Sequence, residues 1–273
     1  MSAARGQAGR ELWIGVDFGT TNSGAAVVEG GEPRAFALDP ASRDPAVMPS
    51  ALYVTREHEI YLGQEAIHTY YRQHVGRPSR MVRQEVGEIE ITLSDVGSVK
   101  GYPVGPQEIV RTVHTMVDAL SPGRLLRSLK SALATHYEGT RIYERAYTLE
   151  ELIASFLAVV RERAEEAAGR PVTGAVLGRP VHFTDSEGEE DDRRAEARLR
   201  AAAEAAGFDE VRFELEPVAA ALHYARGMDA PANLLVFDLG GGTLDITVMR
   251  AGGGLQEVYA VGGLGIAGDI FDR

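Results

Sequence analysis

Two short loops carry the residue types best suited to chemistry. Asp17-Phe18-Gly19-Thr20-Thr21 follows the apolar run Leu12-Trp13-Ile14-Gly15-Val16, and Asp238-Leu239-Gly240-Gly241-Gly242-Thr243 follows Leu234-Leu235-Val236-Phe237. Each pattern predicts a buried strand that delivers an aspartate into a glycine turn, with a second strand departing over Ser23 to Val28 or Leu244 to Met249. Glycine lacks the Cβ that blocks close approach, so such a turn can aim successive backbone N–H groups at one point, where a phosphate fits. An aspartate at the strand end suits Mg²⁺, a hard cation that keeps most of its waters and takes few protein carboxylates. Taken singly, either loop reads equally as an ordinary hairpin turn. Two copies of one pattern, 221 residues apart, predict opposed loops gripping one polyphosphate.

Around these loops the chain alternates between strands and helices. Glu29 to Pro49 is rich in Gly, Pro and Asp and reads as turns and short strands. A less regular section follows, with a strand at Ser50 to Val54 and helices expected over Gln107 to Leu120 and Arg124 to Ala134. Regularity returns at Thr148, which forms a capping box with Glu151 ahead of an apolar stripe of Leu149, Leu152, Ile153, Phe156 and Val160. A strand is expected at Val172 to Leu177. The acidic stretch Asp185 to Asp192 then leads into an alanine-rich helix ending at Gly207, and reads as a solvated helix start rather than a metal site. Val211 to Phe213 is a short strand, Glu216-Pro217 opens a helix to Ala225, and Gly227 to Ala232 reads as a hinge before the second loop. A further strand is expected at Leu255 to Val261.

Composition narrows the function classes. In 273 residues, 28 Lys+Arg stand against 40 Asp+Glu, a formal charge of −12 that repels nucleic acid. There are no cysteines, which excludes disulfides and thiolate metal sites and fits a cytoplasmic protein. Residues 1–10 are small and polar and read as a disordered tail, and no apolar run reaches membrane-spanning length. Gly263-Leu264-Gly265-Ile266-Ala267-Gly268 matches the dinucleotide fingerprint, but no helix of useful length follows it, so the match is read as a decoy. The seven histidines show no metal spacing, and His182 reads as structural.

The ordered set Ile14 to Ser23, Glu216-Pro217-Val218-Ala219-Ala220-Ala221 and Phe237 to Asp245 resembles the actin-like ATPase superfamily. More narrowly, it resembles the nucleotide-binding domain of the seventy-kilodalton heat-shock chaperones of DnaK type. Gly178-Arg179-Pro180, with Lys130 in Arg127 to Leu133, is similar to the short YegD-like branch, which carries no peptide-binding domain. The likeness is good over 12–36 and 148–273 and poor over 37–147, the lysine segment apart.

This resemblance implies an α/β, ribonuclease H-like lobe with a mixed five-stranded sheet and flanking helices, plus the start of a second lobe. The first lobe would span 11–230 with an inserted subdomain at about 40–147, and the second would open at 231–273. The implied activity is binding and slow hydrolysis of ATP to ADP with Mg²⁺, the implied partners are co-chaperones or client proteins, and neither nucleic acid nor membrane is expected. Asp17 and Asp238 would bind Mg²⁺ through water, and Gly19, Thr20, Thr21, Asn22, Gly240, Gly241, Gly242 and Thr243 would cradle phosphate. Lys130, Glu216 and Asp238 are the catalytic candidates: Lys130 near the γ-phosphate, and Glu216 orienting or deprotonating water. On the residues alone, Glu216 also reads as a helix N-cap carboxylate and Lys130 as an exposed lysine of an amphipathic helix. Pro180 matches a conformational relay, with strand-end punctuation as the plain alternative.

Several positions depart from the family. An expected carboxylate falls on Gly263, which predicts slow hydrolysis, and an expected arginine falls on Gly188. The adenosine-binding half of the second lobe would lie beyond Arg273, so the chain reads as truncated. A filament-forming actin-like cytoskeletal ATPase and a small-molecule kinase of the same superfamily are the alternatives. ATP-dependent pelleting would favour the first, and phosphate release without an acceptor would argue against the second.

Overall fold

The computed structural model describes residues 12–93, 98–99, 102–103, 107–265 and 267–268. The expected tail at 1–10 and the family's aspartate position at Asp269 lie outside them. The chain divides into two compact units, residues 1–72 with 123–273, and residues 73–122.

The larger unit begins with β1 (Leu12–Phe18), β2 (Asn22–Glu29), β3 (Glu32–Ala35), β4 (Met48–Pro49), β5 (Ala51–Thr55), β6 (Ile60–Leu62) and α1 (Gly63–His74), which runs into the smaller unit. The smaller unit holds β7 (Met81–Leu93), β8 (Ser98–Val99), β9 (Tyr102–Pro103) and β10 (Gln107–Asp118), with β7 and β10 paired antiparallel. The helix expected over Gln107 to Leu120 is therefore a strand. Ile109, Val110, Thr112, Val113, Thr115 and Val117 are β-branched and suit a pleated ladder, although their apolar spacing also fits a helix.

Back in the larger unit come β11 (Gly123–Arg127), a single 3₁₀ turn (Leu129–Ala132), β12 (Gly139–Ile142) and β13 (Arg145–Thr148). The helix expected at Arg124 to Ala134 is thus a strand paired with β5, followed by that short turn. Ser128 breaks the run by adopting a left-handed conformation, φ 56°. The remaining elements are α2 (Leu149–Ala168), β14 (Val172–Arg179), α3 (Glu189–Ala205), β15 (Glu210–Leu215), α4 (Glu216–Ala225), β16 (Ala232–Leu239), β17 (Leu244–Gly252) and β18 (Leu255–Leu264).

The main sheet runs β15-β14-β1-β2-β3, with β4 added beside β2. It is mixed, because β1, β14 and β15 are parallel while β1, β2 and β3 are antiparallel. This is the α/β fold with flanking helices expected of an actin-like ATPase. Alternation in β1 sends Leu12, Ile14, Val16 and Phe18 into the core. There they meet the apolar stripe of α2, and Phe18 packs on Phe156 with ring centroids 5.6 Å apart. The capping box holds α2 at its start: Glu151 N–H donates to Thr148 Oγ1 at 3.0 Å and Thr148 N–H to the Glu151 carboxylate at 2.8 Å. Gly169, φ 68°, ends the helix.

β16, β17 and β18 form a separate antiparallel sheet. Leu234, Val236, Met249 and Ala251 on its inner face pack against Ala221, Leu222 and Ala225 of α4. Among the described residues, no helix is long and apolar enough to cross a membrane.

Candidate functional site

Both loops open onto one cleft of about 210 Å³. The β1–β2 turn brings Asp17 and Gly19 to Asn22, and the β16–β17 turn brings Asp238 and Gly240 to Thr243. Lys130 enters from the 3₁₀ turn, Glu216 from the first residue of α4, and Pro180, Phe183 and Thr184 from the segment after β14. All twelve residues singled out as catalytic, phosphate-binding or metal-binding line this space.

Glycine is required by geometry at two of these positions. A Cβ on Gly19 would stand 2.2 Å from the Asn22 carbonyl oxygen, and one on Gly242 would stand 2.7 and 2.8 Å from the hydroxyls of Thr184 and Thr20. The loops are also held from behind. Ser50 Oγ donates to the Gly19 carbonyl at 2.7 Å and Ser50 N–H to the Thr21 carbonyl at 2.9 Å. In the second loop Gly240 N–H closes onto the Thr243 carbonyl at 2.9 Å, and Gly268 N–H donates to the Gly240 carbonyl at 3.1 Å.

Lys130 is only 6% exposed, sits in a short 3₁₀ turn and donates its ammonium to Glu216 Oε1, so it is not an exposed lysine of an amphipathic α-helix. Glu216 is not the N-cap of α4 either. Leu215 holds that position, and the Glu216 carboxylate turns to Lys130. Its approach depends on Gly178, whose Cβ would lie 3.0 Å from Glu216 Cγ.

Three carboxylates, Asp17, Glu216 and Asp238, thus face one ammonium across the cleft. Asp17 opens to cleft water, yet the protein around it pushes its carboxyl up to about 6, mainly by desolvation. Lys130 opposes that rise, and the charges of Glu216 and Asp238 add to it. Desolvation also raises Asp238, with Glu216 adding to the rise and Lys130 opposing it. A surplus of two negative charges in a partly dried cleft suits a divalent cation. No group of three or more acidic or histidine side chains among the described residues is disposed to hold a bare ion, and Mg²⁺ commonly keeps most of its waters. The donor set and the glycine cradle therefore fit magnesium with polyphosphate.

Sequence reasoning missed Asp245 as a site residue. It faces Asp238 in the hairpin register, is 1% exposed, and accepts Val181 N–H at 2.9 Å. Burial raises its pKa, while the Val181 and Thr243 hydrogen bonds pull the other way. The signal available was the hairpin itself, since two aspartates flanking a turn fall opposite each other. Asp245 also explains Gly263, its partner in β18: a Cβ there would come 2.7 Å from Asp245 Oδ1. Gly263 lies inside a strand, so the dinucleotide fingerprint has no structural counterpart.

The acidic run before α3 divides in two. Asp192 is buried rather than solvated, accepts Phe183 N–H at 2.9 Å and pairs with His182 Nδ1 at 2.7 Å. Both contacts depress its pKa against the opposing effect of burial, and they fix the segment that follows Pro180. His182 is accordingly a structural partner. Thr184 Oγ1 donates to the Gly242 carbonyl at 3.3 Å and ties the same segment to the second loop.

A family model described as Hsp70 protein matches residues 107–273, more than half of the chain and including Lys130, Glu216 and the whole second loop.

Proposed function

Because this chain belongs to the Hsp70 family, we propose that its cleft binds Mg-ATP and hydrolyses it slowly, as the nucleotide-binding part of a chaperone-type protein. The observation that carries this reading is the set of three carboxylates and one buried lysine around two glycine loops. Within the family, Gly178-Arg179-Pro180 and the Lys130 segment support an assignment to the short YegD-like branch.

The chain's own residues divide the work as follows. The loops Gly19 to Asn22 and Gly240 to Thr243 receive the polyphosphate. Asp17 and Asp238 hold the hydrated cation. Magnesium, when bound, neutralises phosphate charge and orders water near it. Lys130 places its ammonium toward the terminal phosphate, where charge grows in the transition state. Glu216, anchored on Lys130 through one carboxylate oxygen, orients the attacking water and accepts its proton as the bond to ADP breaks. Co-chaperones and clients are the partners this family membership suggests, in the cytoplasm.

Single-turnover phosphate release, run beside calorimetric titration with Mg-ATP, tests the assignment. Lys130→Ala is expected to lower the turnover rate roughly 100-fold or more while changing ATP affinity little. An unaltered rate removes Lys130 from the chemistry, and no Mg-dependent ATP binding by the wild-type chain removes the reading altogether.

A further inference from the structure

Lys130 stands on an irregular stretch of the larger unit. From Ser128 to Glu138 the chain has one 3₁₀ turn and no strand or α-helix. That turn is entered through Ser128 in the left-handed region, a conformation that persists only where neighbours impose it. Leu129 and Leu133, 8% and 0% exposed, sink the segment into the core, but apolar contact has no direction and does not aim an ammonium. The backbone carbonyls after Lys130 also need partners, which no ladder of their own supplies.

Arg198 of α3 provides them. Its Nη2 donates to the Tyr137 carbonyl at 2.8 Å and its Nη1 to the Thr135 carbonyl at 3.2 Å, with longer contacts of 3.4 Å to the carbonyls of Ala132 and Leu133. Its Nε donates to Glu150 at the start of α2, and Arg194, one turn earlier on α3, adds a bond to the Ala134 carbonyl. The Arg198 side chain is 15% exposed, so its charge is set into the protein with Glu150 as counter-ion. A planar guanidinium holds five N–H donors in a fixed fork, which suits carbonyls spread along an irregular turn. A tie between α2 and α3 would need the Nε contact alone, whereas Nη1 and Nη2 go to the Lys130 segment. The mesh continues to Lys130 itself: its carbonyl accepts Leu133 N–H at 3.2 Å, and the Ala132 carbonyl accepts Thr135 N–H at 3.2 Å.

We propose that Arg198 is a positioning residue for Lys130: seated on Glu150, its guanidinium fixes the turn from which the ammonium reaches Glu216 and the terminal phosphate. Arg198 is not among the residues that line the cleft, so it acts through the turn. The phosphate half of this statement rests on the ATP reading of the cleft, and the placing of Lys130 does not.

The chain contains two lysines, Lys100 and Lys130. Acylation of the nucleotide-free chain by an N-hydroxysuccinimide ester, read by peptide mass spectrometry, therefore reports Lys130 against an internal reference. Arg198→Met keeps the packing of the stem and removes the donors, and is expected to raise Lys130 acylation relative to Lys100 at least about fivefold. Arg161→Ala removes a different tie from α2 to the end of α3, at the Ala206 carbonyl, and should leave that ratio within about twofold of wild type. In single-turnover hydrolysis Arg198→Met should lower the rate at least about tenfold, with Mg-ATP affinity within about threefold. Placed in a Lys130→Ala chain, the same substitution should change the rate less than about twofold, because its effect runs through the missing ammonium. Unchanged Lys130 acylation overturns the proposal, as does an equal rise in Arg161→Ala or a rate loss that persists in the Lys130→Ala background. Should circular dichroism show Arg198→Met unfolded, Glu150→Ala decides, since it unseats the guanidinium and is expected to raise Lys130 acylation at least about twofold. A wild type without Mg-ATP hydrolysis defeats the ATP reading, and acylation still judges the positioning.

Discussion

The two aspartate loops share a turn chemistry but not a foundation. The first leaves β1, whose Phe18 is 1% exposed and packed on Phe156 within the main core. The second leaves β16, whose Phe237 and Leu239 face outward, and its sheet rests on a much smaller cluster with α4. What the second loop lacks in apolar support it gains in polar ties: Asp245 to Val181, Thr184 to Gly242, and Gly268 to Gly240. The same local geometry can thus be anchored by a core or by a hydrogen-bonded latch. The core-anchored loop is held by packing together with the Ser50 hydrogen bonds to Gly19 and Thr21, whereas the latched loop depends on the segment after Pro180.

Substitution of the flanking phenylalanines should expose this contrast most strongly. Phe18→Ala is expected to destabilise the fold by about 3–5 kcal/mol in chemical denaturation, because it empties a packed site. Phe237→Ala, at a side chain 61% exposed, should stay within about 0.5 kcal/mol of wild type. Equal losses would mean that the second sheet shares the main core's stability.

The aspartates come next. Asp17→Asn and Asp238→Asn should each weaken Mg-dependent nucleotide binding by about 1.5–3 kcal/mol, the worth of one charge-assisted contact. Acidity should then distinguish Asp17 further. Its folded value, about 6, lies above the 3.8 of an unperturbed aspartate, so the metal-free fold holds that proton more tightly than the unfolded chain does. The resulting stabilisation is full below about pH 4 and is lost as pH rises through about 6. Asp17→Asn should therefore raise the Tm of the metal-free chain near neutral pH and lose that advantage in acid, while Mg affinity of the wild type falls as pH drops through about 6. A Tm gain that does not change with pH would contradict the assigned environment.

The smallest effect separates two glycines of one loop. Gly242→Ala drives a methyl into the hydroxyls of Thr184 and Thr20 and should cost about 1–3 kcal/mol in polyphosphate affinity through displacement of the loop. Gly240→Ala meets only the Thr243 carbonyl at 3.5 Å, an ordinary contact, and should bind within a few-fold of wild type. Titration with inorganic triphosphate and Mg²⁺ measures both. Equal losses would show that the loop is sensitive everywhere rather than latched at Gly242.

Local signals were legible before the fold was known. Both strand–turn–strand units, the Thr148–Glu151 cap and the Glu216-Pro217 helix start are written within a few residues of themselves, and each is found in place. Features that depend on distant partners were not legible. The stretch Gln107 to Asp118 has apolar spacing compatible with helix or strand, and its pairing with β7 decides between them. Lys130 looked like a surface residue because its partner, Glu216, is 86 positions away. Asp245 and Asp192 could be seen as acids, but their burial and the N–H groups they accept are set by the segment after β14, which no local pattern describes. The family match over 107–273 covers the second loop and Lys130 but not the first loop, whose place in the cleft follows from the β1–β14 pairing.

The cleft is built from chain positions as far apart as Asp17 and Thr243. On a ribosome extending the chain at about 5–20 residues per second, the second loop appears roughly 10–45 s after the first. Only late in that interval, once β14 and β15 have been made, can the main sheet close, and no complete cradle exists until the second loop follows. Nucleotide would then act on the nascent protein only after the second loop has emerged, selecting chains whose β16–β18 sheet has docked correctly. Magnesium nucleotide added to a translation reaction should accordingly protect chains that carry both loops from protease and leave chains stalled before Asp238 as sensitive as before.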